Sequence, residues 1–72
     1  MTAEEWMERF AAEIGLPGPD PGQVEAILEL AASAAHASER TAAPVACFLA
    51  GVSGRALSDL QAAAERAGGE GA

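Results

Sequence analysis

The chain has no lysine and no tyrosine, only three other aromatic residues, and one cysteine and one histidine among its 72 residues. Each shortage excludes something. Cys47 alone cannot form an intramolecular disulfide or a two-cysteine metal site. With His36 the only imidazole, there is no HExxH zinc motif and no second histidine for a paired site. The four cations, Arg9, Arg40, Arg55 and Arg66, are scattered among 11 acidic residues, for a formal net charge of -7. A duplex binder displaces condensed counterions with clustered cations, so nucleic acid is not an expected partner. No apolar run approaches the roughly 20 residues that span a bilayer, and no basic segment followed by an apolar one opens the chain. Neither membrane insertion nor secretion is expected, and a lone cysteine in an apolar run reads as a small hydrophobe in the cytoplasm.

Regular strand alternation is also missing, and with it the context for a phosphate loop. Gly51-Val52-Ser53-Gly54 is glycine-rich, but no strand precedes it. What recurs instead is the three-to-four-residue spacing of amphipathic helices. The expected fold class is all-α, a compact bundle of four short helices at about residues 3–14, 21–38, 42–52 and 54–67. These helices form a single domain over residues 1–67, and residues 68–72 form a flexible Gly-rich tail. Thr2 with Glu5, and Asp20 with Gln23, have the spacing of capping boxes, and Pro21 suits a first helical position. Trp6, Met7, Phe10 and Ile14 make the apolar stripe of the first helix, with Trp6 read as core. Val24, Ile27, Leu28, Ala31, Ala34 and Ala35 form the buried side of the second, with Leu30 at its margin. Thr41 is expected to cap the third helix and Ser53 the fourth.

The third helix has no polar face, because Ala42 to Val52 contains no charged side chain. A helix apolar all round is normally covered all round. In so short a chain it is either central to the bundle or covered by a second copy or another protein. A chain of this size buries only roughly 60% of its unfolded surface. With disulfide and metal unavailable, oligomerisation or docking is the remaining way to gain stability.

One polar constellation stands out. At about 100° per residue, Glu29, Ser33, His36 and Arg40 fall in one column of the second helix, roughly opposite its apolar stripe, with Glu25 at its upper edge, and Glu39 is counted with them as a candidate site residue. The column can act as an interaction or anion site, in which Glu29 or Ser33 orients His36 while His36 and Arg40 offer donors. It can equally be a solvated face whose cations complement the helix C-terminus, or a structural corner bonding loose carbonyls. No catalytic, metal or cofactor-binding residue is expected, because one histidine and no positioned nucleophile leave little for acid–base work.

The run Ala35-His36, Glu39-Arg40, Ala43-Pro44 and Phe48-Leu49-Ala50-Gly51, with Trp6 in the first helix, resembles a small uncharacterised actinobacterial helical domain. That domain occurs alone or fused to the C-terminus of nucleotidyltransferase proteins resembling the molybdenum cofactor guanylyltransferase. The resemblance implies that His36, Glu39, Arg40 and Pro44 are signature positions, and it departs at Thr41, where proline would follow the arginine. It implies a context in molybdenum cofactor biosynthesis and no activity, since no nucleotidyltransferase segment is present. The expected function is a non-catalytic accessory or protein-interaction module, not an enzyme and without a cofactor. Its partner would be a protein or a second copy through helix 42–52, with a nucleotidyltransferase of cofactor maturation as the candidate. The alternative is a small binding protein that holds phosphate, nucleotide or pterin at His36 and Arg40.

Overall fold

Two reciprocal capping boxes start the first two helices. Glu5 N–H donates to Thr2 Oγ1 at 3.1 Å while Thr2 N–H donates to Glu5 Oε1 at 2.7 Å. Gln23 N–H and Asp20 Oδ1 are 2.8 Å apart, and Asp20 N–H reaches Gln23 Oε1 at 3.0 Å. The computed structural model describes residues 1–69, in which the regular elements are helices α1 (Ala3–Glu13), α2 (Pro21–Ala37), α3 (Ala42–Ser53) and α4 (Leu57–Ala67). The expected all-α architecture of four short helices is therefore the observed one. Residues 70–72 of the expected tail lie outside the described residues. Gly68 and Gly69 close α4 with hydrogen bonds of 3.0 and 3.1 Å to Ala64 O and Arg66 O.

Helix ends follow local chemistry. Gly15 adopts φ 78°, and Leu16 N–H turns back to Ala11 O at 2.8 Å. That six-to-one bond with glycine in the left-handed region is a Schellman closure. α2 stops at Ala37, because Ser38 leaves the helical region and its N–H and Oγ both donate to Ala34 O, at 3.2 and 2.9 Å.

Two expected caps are corrected. Thr41 has helical backbone angles and makes no side-chain cap bond. The first amides of α3 are instead satisfied by backbone, Ala42 N–H to Glu39 O at 3.0 Å and Ala43 N–H to Arg40 O at 3.1 Å. Pro44, third in the helix, has no amide proton to satisfy. Ser53 does not open α4 but ends α3, donating through Oγ to Ala50 O at 2.7 Å and accepting from Arg55 N–H at 3.1 Å. Gly54, at φ 68°, then turns the chain out of the helix. The last helix consequently starts at Leu57 rather than near residue 54, with Ala56 as an uncapping residue in extended conformation.

α2 is the hub on which both α3 and α4 pack. Near its C-terminus Ala34, Ala37, Ala42, Ala46, Ala64 and Gly68 make a seam of small residues. A Cβ at Gly68 would stand 3.4 Å from Ala37 Cβ, a measure of how closely α4 approaches there. Toward the other end, Ile27, Leu30, Cys47, Leu57 and Leu60 converge. Among the described residues, Leu30, expected at the margin, is the most buried large side chain at 5% exposure, and Ala11 is the other buried apolar residue. Leu28, expected on the buried side, is 63% exposed. Trp6 is likewise not core: it is about half exposed, as are Phe10 and Ile14 on the same stripe, while Ala11 and Met7 face inward.

The molecule measures 41 × 23 × 18 Å, with a radius of gyration of 13.1 Å; about 11 Å is typical for this length. Its accessible surface is 5,473 Å², whereas a folded monomer of 7.2 kDa exposes about 4,100 Å². The four helices thus leave an unusually large share of their surface exposed.

Candidate functional site

Of the polar column expected on α2, the structure keeps part. Glu29 and His36 are exposed on the helix, but the column ends with α2 at Ala37, so Glu39 and Arg40 lie in the exposed connection to α3. Arg40 therefore does not continue the helical register that the spacing implied. Ser33 does not face solvent opposite the packing surface either. It accepts a hydrogen bond from Gln61 Nε2 of α4 at 2.8 Å and is half-buried. The physical reason is that the packed arc of α2 is rotated toward Leu30 and Ser33, because α4 sits on that side.

His36 stands at the lip of a shallow groove between α2 and α4, together with Ser33, Ala37, Ala64, Glu65 and Gly68. The side-chain hydrogen bonds of the described residues involve none of Glu29, His36, Glu39 and Arg40. The loose carbonyl at the end of α2 is bonded by Ser38, not by His36 or Arg40. Ser33 is held by an amide rather than by the imidazole, so the pair is not a nucleophile and its base. Among the described residues, no three His, Cys, Asp or Glu side chains are grouped so as to hold a metal ion.

Gln61 is the residue that sequence reasoning missed. The signal was present: Gln61 is four residues from Leu57 and three from Ala64, so an amide interrupts the apolar arc of α4. Besides Ser33, its Nε2 reaches Glu65 Oε2 at 3.4 Å. Its Oε1 is buried without a hydrogen-bond partner. An unsatisfied buried acceptor destabilises by about 1–3 kcal/mol, whereas the Ser33 hydroxyl can turn to a carbonyl of its own helix if the amide is removed. Gln61→Met is accordingly expected to raise stability by about 1 kcal/mol, read as a higher urea midpoint. A lower midpoint would mean that the Ser33–Gln61 bond outweighs the orphaned oxygen.

The other feature is apolar. α3 lies on the outside of the bundle and not at its centre, which resolves one of the two expectations for it. Ala46, Cys47 and Ala50 are half-buried toward α2, while Val45, Phe48, Leu49 and Val52 are 57%, 69%, 60% and 69% exposed. No charged residue interrupts this face from Ala42 to Ser53. On α1, the rings of Trp6 and Phe10 stack with centroids 5.0 Å apart and planes 11° from parallel. Among the described residues, no helix is long and apolar enough to cross a membrane.

A protein-family model described as "Domain of unknown function (DUF6457)" matches residues 1–70. No curated protein and no solved structure matches the chain.

Proposed function

The chain belongs to the DUF6457 family, whose model spans nearly its whole length, and from that premise we propose that it is a non-catalytic helical accessory module that docks on another protein. The observation that carries this reading is the uncharged outer face of α3, where four large apolar side chains are each more than half exposed. Contiguous apolar surface of this kind marks interaction sites on soluble proteins. The surface in excess of a monomer of this mass also suffices for the roughly 800 Å² that each partner buries in a standard interface. His36 and Arg40, beside the entry to α3 and with side chains that make no hydrogen bond among the described residues, supply polar donors at the rim.

The proposed partner is a guanylyltransferase-like nucleotidyltransferase of molybdenum cofactor maturation in the actinobacterial cytoplasm. The support for this choice is the resemblance carried by His36, Glu39, Arg40, Pro44 and the Phe48–Gly51 run. A second reading, an anionic ligand held by His36 and Arg40, draws on the same unengaged donors. Glu65 works against it, because its carboxylate lines the groove that His36 borders and repels an anion there.

Calorimetric titration of the purified nucleotidyltransferase into this chain separates the two. Docking predicts saturable binding that His36→Ala/Arg40→Ala weakens only several-fold, as expected for charges at a rim. Absence of binding, with GTP or phosphate instead bound by the wild type and not by the double variant, would replace docking with the second reading.

A further inference from the structure

A second groove lies away from α3, between the first half of α1 and the start of α2. Its floor is apolar, built from Met7 of α1 and from Val24 and Leu28 of α2, and Glu4, Glu8 and Glu25 stand along it. The cleft is about 510 Å³, within the roughly 300–1,000 Å³ of ordinary ligand clefts. None of the four arginines lines it. Glu4 and Glu8 are one helical turn apart, a like-charge spacing that weakens a helix, whereas Glu5 and Arg9 on the neighbouring column carry opposite charges. The Glu8 carboxylate lies against Gly18 in the connection after α1. Leu28 is 63% exposed on the floor.

We infer that this groove receives a cationic amphipathic helix of another protein. Apolar side chains one turn apart on that helix would seat on Met7, Val24 and Leu28, and flanking lysines or arginines would meet Glu4, Glu8 and Glu25, the helix-in-groove mode of recognition. Charge complementarity selects this occupant. A second copy cannot supply it, because Arg9 and Arg66 lie on different helices and Arg40 and Arg55 in connections, so no helix of this chain carries two cations. An anionic lipid surface is opposed by the net charge of -7.

The test is fluorescence anisotropy of a labelled synthetic leucine–lysine peptide patterned as an amphipathic helix, titrated with the full chain. Two triple variants carry the same change in net charge, Glu4→Gln/Glu8→Gln/Glu25→Gln at the groove and Glu13→Gln/Glu39→Gln/Glu65→Gln elsewhere. The groove variant is expected to bind about tenfold more weakly, and the other to stay within about twofold of wild type. Leu28→Ser, at an exposed site whose loss leaves the helical circular dichroism signal unchanged, is also expected to weaken binding, whereas Phe48→Glu on α3 leaves it intact. Equal losses in the two charge variants, or equal binding of a shuffled peptide of the same composition, would overturn the proposal by reducing the attraction to net charge.

Discussion

Leu30→Ala is expected to lower the melting temperature by about 10–25 °C, and Leu28→Ala, two residues away on the same helix, by less than about 4 °C. The difference follows from burial. Leu30 is 5% exposed where α3 and α4 meet α2, while Leu28 is 63% exposed. Removing a buried leucine side chain destabilises by about 2–5 kcal/mol, from lost transfer energy and the cavity left behind. A domain of this length has a total stability of roughly 4–11 kcal/mol, and with Leu30 and Ala11 the only buried apolar residues among those described, it belongs at the lower end. One substitution therefore removes about half of the total or more. Thermal melts followed by far-ultraviolet circular dichroism check the pair. Equal shifts for the two variants would mean that α3 and α4 do not converge on Leu30.

That pair also shows where sequence reading stops. The starts of α1 and α2 were legible because their determinants are local: Thr2 with Glu5 and Asp20 with Gln23 each complete a box within three residues. The existence of four helices was legible for the same reason, from periodicity and from glycines at their ends. The rotation of α2 about its own axis was not. Its apolar residues cover a wide arc, and nothing in that arc says which edge meets two helices and which meets one. In the event α3 and α4 take the edge with Ile27, Leu30 and Ala34, and Val24 and Leu28 are left to the groove beside α1.

The same rotation redraws the candidate site. It brings Ser33 from the solvent side into contact with Gln61, while Ser38 ends the helix before Arg40 can join the column. Thr41 and Ser53 failed as caps for a related reason. At Thr41 the backbone already satisfies the first amides of α3, and Ser53 lies four residues before Leu57, where α4 begins, so its hydroxyl closes α3 and the following turn instead. For α3, composition made its apolar character plain but could not choose between centre and surface.

Replacing Phe48 with Glu tests what its surface position is for. Phe48 is 69% exposed, on a face shared with Val45, Leu49 and Val52, so little packing within the chain is lost, and surface substitutions of this kind stay within about 0.5 kcal/mol. The melting temperature of the isolated chain is accordingly expected to move by no more than about 4 °C. Binding to the proposed partner is expected to behave differently. A central aromatic anchor contributes about 2–4 kcal/mol when truncated, and a carboxylate in its place must be desolvated among apolar side chains with no cation on α3 to meet it. The expected loss of affinity is at least about 100-fold, far beyond the several-fold loss for His36→Ala/Arg40→Ala. Calorimetry with the partner and melts of the free chain read the two quantities separately. If Phe48→Glu instead unfolds the isolated chain and the remaining folded molecules bind as before, α3 packs against its own chain in solution, and docking through its outer face is wrong.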